Sequence, residues 1–174
     1  MRHSRLRKCG GMTLIELLVT IGIIALLAAA AIAAVANSRR LAAQSACISN
    51  LRQISVSVIQ YVDEEGRFPE AANLPSLGVS NLPVISDVLT PRLGGMANVF
   101  RCPDDRQGYF QRERSSYEWN TILNGKTRNA VRQRGEAAND SDIRLLWDFE
   151  PFHGTAGDPK ARNLAFFGGT VKPF

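Results

Sequence analysis

Apolar and polar positions alternate in three different ways along this chain. From Leu17 to Ala36, 20 consecutive residues carry no charge. As a helix rising about 1.5 Å per residue, such a run spans roughly 30 Å, the hydrocarbon thickness of a bilayer. Beyond Ala36 the apolar residues Leu41, Ile48, Leu51, Ile54 or Ser55, Val58 and Val62 recur at spacings of three, four and seven. Arg39, Gln44, Arg52 and Gln60 fall largely elsewhere on the helical wheel, which is the pattern of a helix with one covered face. The two patterns join into one predicted helix from Thr13 to Glu65, about 80 Å long if unbroken. Gly66 stops it and Pro69 confirms the end.

The third regime is short and turn-rich. Pro69, Pro75, Pro83 and Pro91 punctuate residues 66–95, with Val84 to Leu89 as a short helix introduced by Pro83. Three later runs, Ser116 to Asn120, Ile143 to Phe149 and Asn163 to Phe167, are short and apolar or alternating, and Gly168-Gly169 turns the last of them into Thr170-Val171. Three or four antiparallel strands on the amphipathic half of the helix would bury both apolar faces. The predicted class is therefore α+β: a long N-terminal helix, membrane half plus amphipathic half, packed on a small antiparallel β-sheet head.

Charge changes the picture only once it is located. The formal net charge of +5 invites a nucleic-acid partner, but Arg2, Arg5, Arg7 and Lys8 lie in the first eleven residues, which contain no acid. Without them, 17 Lys and Arg face 16 Asp and Glu, a net of +1. A basic segment ahead of an apolar run is the start of an export signal, and it predicts the N-terminus inside and the remainder outside, since Arg39 and Arg40 oppose four charges with two. An ordinary secretory signal is the competing expectation, because Ala34-Val35-Ala36 has the small-x-small form of a cleavage site. Glu16 argues against it. A carboxylate in an apolar span costs about 2.5–3.5 kcal/mol at the centre and less near an end, so its presence implies a purpose.

Gly11-Met12-Thr13-Leu14-Ile15-Glu16, behind its basic leader and ahead of its apolar run, resembles the processing motif of type IV pilins and type II secretion pseudopilins, with Met12 where Phe is commonest. The resemblance implies a pilin-like fold and cleavage by a prepilin peptidase between Gly11 and Met12. It also implies methylation of the new amine on Met12 and a fifth-residue carboxylate, Glu16. A helix starting at Met12 puts Glu16 one turn from that amine, and in a bundle of such helices the carboxylate could meet a neighbour's amine and set its register. The eight alanines between Ala25 and Ala36 would let backbones approach closely. Family members often carry a proline within this helix, whereas the first proline here is Pro69. The acidic triplet Asp63-Glu64-Glu65 before Gly66 and Arg67-Phe68-Pro69 also resembles the helix exit of a pseudopilin-like group.

Three further clusters carry candidate chemistry. Once Cys9 leaves with the leader, Cys47 and Cys102 remain; in an exported domain they form either one disulfide or two separate buried thiols. A bond between them would stabilise by an amount on the order of 3–4 kcal/mol through chain entropy. Arg101 to Arg134 holds eight Lys or Arg and four acids among Tyr109, Phe110, Tyr117 and Trp119. That is the composition of a single-strand binding surface, though a solvated loop is the commoner cause of such a run. Asp148, Glu150, His153 and Asp158 could hold a divalent ion. Major pseudopilins bind calcium through acidic C-terminal loops, whereas strand ends and turns explain these carboxylates equally well. The tail resembles a pilin-related group in which a histidine precedes an Asp-Gly hairpin, but His153 and Gly168-Gly169 depart from its spacing and turn, so no role is carried to His153.

These readings converge on a structural subunit of a type II secretion or type IV pilus-like filament, with no catalytic residues, metal or cofactor. Its domains would be a cleaved leader (1–11), a transmembrane and filament-core helix (12–36), its amphipathic continuation (37–65) and a head (66–174). The processing residues would be Gly11, Met12 and Glu16, and the candidate disulfide Cys47–Cys102. Expected partners are the peptidase, other pilin-like subunits, an inner-membrane assembly platform and the membrane, with nucleic acid not among them. The expected location is the inner membrane, single-pass, with the head outside the cytoplasm, and a filament after assembly. The alternative is an exported or anchored protein with a metal-dependent hydrolase or DNA-binding head.

Overall fold

The computed structural model describes residues 12–78, 80–135, 137–154, 157–158 and 160–174, with Ala33 and Ala36 defined through their backbone. Helix α1 runs from Leu14 to Glu65, one residue later than predicted. The chain divides into two compact units after Arg39. In the first, the large apolar side chains from Met12 to Val35 are exposed, with Leu14 at 78% and Leu26 at 72%. This stretch is long and apolar enough to cross a membrane by length and composition. Its few hydroxyls satisfy themselves on the helix, Thr20 on the Leu17 carbonyl and Ser38 on that of Ala34, the arrangement that suits a surround without water.

The second unit, residues 40–174, contains the remainder of α1 and a four-stranded antiparallel meander, in the order β1 (Tyr117–Trp119), β2 (Arg144–Asp148), β3 (Asn163–Phe166) and β4 (Val171–Pro173). Tyr117 pairs with Asp148, Trp147 with Leu164 and Ala165 with Val171, and the register shifts once between Arg144 and Leu146. Gly169, at φ 76°, occupies the left-handed position of the β3–β4 turn. The chain is α+β, a long N-terminal helix with a small antiparallel sheet, consistent with a pilin-like fold.

The face of α1 that reaches the core is the predicted one from Leu51 to Val62 and departs from it before Leu51. Cys47, Leu51, Ile54, Val58 and Val62 are buried with Tyr117, Trp119, Leu145, Leu146 and Ala165 in one cluster. Leu41 is 53% exposed and Ile48 only half-buried. Ser57, which is not among the predicted positions, lies inside with Ser55; their hydroxyls bond the carbonyls of Ile54 and Leu51, which lets polar residues occupy a covered face. At the helix end the Gly66 N–H donates to the Val62 carbonyl at φ 73°. Arg92 binds Glu64 at 2.7 Å and stacks 4.6 Å from the Tyr61 ring, and Arg128 pairs with Asp63.

The turn-rich stretch is held by its own polar groups. The Phe68 N–H donates to the Lys126 carbonyl and that of Ala72 to Pro83, and the short helix α2 covers Ile85–Leu89. Between Arg101 and Arg134 lie α3 (Tyr109–Glu113), β1 and α4 (Arg128–Gln133). Tyr117 and Trp119 are core residues there, so they cannot stack bases.

Candidate functional site: the start of the long helix and a buried histidine

The first site begins at Thr13. Its backbone N–H and its hydroxyl both donate to Glu16 Oε2 at 2.8 Å, and the Glu16 N–H lies 3.3 Å from Thr13 Oγ1. Thr13 and Glu16 are thus the N-cap and third residue of α1, in the reciprocal arrangement that satisfies two amides otherwise orphaned at a helix start. The sequence signal was the Thr-x-x-Glu spacing ahead of an apolar run, and the capping role of Thr13 was missed. The carboxylate that sequence reasoning assigns to a terminal amine is already occupied locally, and it sits in the first turn, where the helix dipole favours an anion. Met12 is 64% exposed beside it; Gly11, and with it the expected cleavage point, lies outside the described residues.

The second site is buried in the head. The loop after β2 folds back on itself, with the His153 N–H donating to the Ala161 carbonyl at 3.0 Å. A side chain at Gly154 would meet Ala161 Cβ at 3.1 Å and Asp158 Oδ2 at 3.0 Å. The imidazole of His153 has no exposed surface. Its Nδ1 faces Asp104 Oδ2 at 3.5 Å, and its Nε2 faces Asp148 Oδ2 at 3.5 Å and Cys102 Sγ at 3.7 Å. Asp148 Oδ2 accepts from the backbone N–H and the side-chain amide of Asn163, at 2.7 and 2.9 Å. Among the described residues, Asp104 Oδ2, Asp148 Oδ1, His153 Nδ1 and Asn163 Oδ1 are buried without a hydrogen-bond partner, a concentration that is uncommon in one place.

Electrostatics disfavour charge here. Burial pushes the Asp148 carboxyl up to about 7 against the two Asn163 donors and Arg162. Burial likewise pushes the His153 imidazole down, opposed by Asp104. Cys47 and Cys102 complete the cluster: both are fully buried, and a disulfide joins them, linking α1 to the segment before α3.

Of the carboxylates considered for a divalent ion, Asp148 faces inward. Glu150 and Asp158 line, with Asp104 and His153, a cavity of about 460 Å³ on the other side of the imidazole. Glu150 Oε1 accepts from the Tyr109 hydroxyl at 3.0 Å, and Asp158 Oδ1 from the Lys160 N–H at 2.9 Å, which is what strand-end and turn carboxylates do. Sequence reasoning missed Asp104 and Asn163. No spacing signal could have found them, because β2, β3 and the segment after Cys102 meet only in the folded head.

No curated protein and no solved structure matches the chain. A family model described as the prokaryotic N-terminal methylation motif matches residues 6–32, the basic leader and the apolar start of α1. That motif points to a structural rather than a catalytic protein, carried by an N-terminal helix suited to anchoring in the inner membrane. Together with the α+β fold, this match over the N-terminal part of the chain supports a type IV pilin- or pseudopilin-like protein.

Proposed function

We propose that this protein is a filament subunit of a type II secretion or type IV pilus-like system, made as a precursor, inserted in the inner membrane and cut by a prepilin peptidase between Gly11 and Met12. The observation that carries the reading is the methylation-motif match over residues 6–32. Supporting it, α1 starts at a Thr13–Glu16 cap and continues into an apolar surface with no covering of its own. In this reading residues 1–11 are the leader, 12–36 the membrane and filament-core helix, 37–65 its amphipathic continuation and 66–174 the head. The peptidase, an inner-membrane assembly platform and other pilin-like subunits are the partners. The head lies outside the cytoplasm.

The chemistry asked of the chain is modest. A capped first turn presents Met12 at a defined place for cleavage and for methylation of its amine. Glu16 can then share its carboxylate between Thr13 and the amine of an adjacent subunit, which removes two uncompensated charges from an apolar surround. Co-expression with a prepilin peptidase, followed by intact-mass measurement and N-terminal sequencing, tests this. The expected product begins at Met12 and carries one added methyl group, and Gly11→Ala leaves the precursor uncut. A product beginning after Ala36, or cleavage that survives Gly11→Ala, would overturn the reading.

A further inference from the structure

We propose that the head binds one zinc ion when Cys47 and Cys102 are reduced, through Cys47 Sγ, Cys102 Sγ, His153 Nε2 and Asp148 Oδ2. The donor atoms of Cys47, Cys102 and His153 already lie within 4.8 Å of one another. Tetrahedral zinc, with ligands at about 2.0–2.3 Å, sets its donors about 3.3–3.8 Å apart. His153 Nε2 stands 3.7 Å from Cys102 Sγ and 3.5 Å from Asp148 Oδ2, so two edges of the tetrahedron are in place. To complete it the two bonded sulfurs must separate and the Asp148 carboxylate must turn toward them.

The surroundings fit a metal better than they fit a simple core. Both cysteines, the His153 ring and Asp148 are fully buried, and Asp148 Oδ1 is buried with no hydrogen-bond partner among the described residues, while His153 Nδ1 and Asp104 Oδ2 face only each other, at 3.5 Å. Asp104 at Nδ1 is the outer carboxylate that fixes the proton there and turns the Nε2 lone pair toward the sulfurs, the usual support of a metal-bound histidine. Two thiolates with an imidazole select a borderline-soft ion over calcium or magnesium. His153 and Asp104 also line the cavity that opens to the surface, which supplies an entry path. The ligands come from α1, the segment before α3, β2 and the loop after it, so the linear sequence carries no spacing motif for this site.

The conversion balances as follows. A dithiol reductant delivers two electrons and two protons, becoming a disulfide; the Cys47–Cys102 bond breaks to two thiols. Zinc then displaces both thiol protons to solvent and takes the two sulfurs, the imidazole and the carboxylate. The covalent link between α1 and the head is thereby exchanged for a coordinate one.

The experiment uses the full chain in detergent micelles, carrying Cys9→Ser to remove the leader thiol, reduced with a phosphine, desalted and titrated with Co²⁺. The expected result is one Co²⁺ per chain, with thiolate-to-cobalt charge-transfer and tetrahedral ligand-field absorption that Zn²⁺ abolishes, and no such absorption from the oxidised chain. His153→Ala should weaken binding at least tenfold and change the ligand-field bands. Asp104→Asn, which keeps all four ligands, should weaken it about 10–100-fold with the bands retained. If reduction unfolds the head, recovery of its near-ultraviolet circular dichroism on adding Zn²⁺ supports the site equally. Failure of the reduced chain to bind Co²⁺ or to refold with Zn²⁺, equal binding by the oxidised chain, or bands unchanged in His153→Ala would overturn it. None of these outcomes depends on whether the chain is processed at Gly11.

Discussion

Asn124 shows how much of the head rests on single polar side chains. Its Oδ1 accepts from the Trp119 indole at 2.8 Å and from the Ala71 N–H at 3.2 Å, while its amide donates to the Ala71 carbonyl at 2.9 Å. Trp119 and Ala71 are fully buried, so removing this one amide strands three polar groups, each costing about 1–3 kcal/mol when unpaired. Asn124→Leu is expected to destabilise the head by at least about 2 kcal/mol in a urea titration followed by tryptophan fluorescence, and Asn124→Asp, which keeps the acceptor, by less. A loss within experimental error for Asn124→Leu would show that the turn-rich segment is held by packing alone. Asp105 plays a comparable part, accepting from the N–H groups of Gly108, Tyr109 and Phe110 and from the Ser116 hydroxyl. At this scale little was legible beforehand. The Thr13–Glu16 cap and the Asp105 bonds to residues 108–110 have local spacings that could be read, whereas Asp104 and Asn163, and Asn124 through Ala71, act on partners that only the fold brings near.

At the scale of elements the sequence was far more informative. The break of α1 at Gly66, the place of α2 and all four strands follow from turn residues and local periodicity, because each has its cause within a few residues. What periodicity misjudged was where the buried face of α1 begins: Leu41 lies outside it, and Ser57, which no apolar pattern marks, lies inside. This difference is measurable. Ile54→Ala removes buried volume and should cost about 2–5 kcal/mol, whereas Leu41→Ala, at an exposed position, should change unfolding by less than about 0.5 kcal/mol. Comparable losses for both would mean that the covered face extends to Leu41. The small helices α3 and α4 were not anticipated, since a run dense in arginine and aromatic residues carries no clear period.

For the whole molecule, the distribution of charge decides what the basic balance means. Four of the five net positive charges lie in residues 1–11, and two of the aromatic residues that made the later basic run resemble a nucleic-acid surface are locked in the core. Non-specific binding scales with the number of phosphates neutralised, so the chain beginning at Met12 should not retard labelled single-stranded DNA at low salt, while the chain with its leader should. Retardation by the shorter chain that is lost when Arg112 and Arg114 are replaced by glutamine would instead place a binding surface on the head.

The two outer strands of the sheet bear on how such a molecule avoids the wrong kind of growth. Along β1 the amide of Asn73 pairs with both the N–H and the carbonyl of Trp119, at 2.7 Å each, and so stands where another strand would have to add. At the other margin β4 is three residues long, presents Lys172 to solvent and ends at Pro173, which has no hydrogen to offer a neighbour. Both borders of the sheet are therefore closed to ladder extension. For the filament subunit proposed above, this would let heads crowd together without fusing into a continuous sheet, so that copies would add through the helix and not through strand pairing.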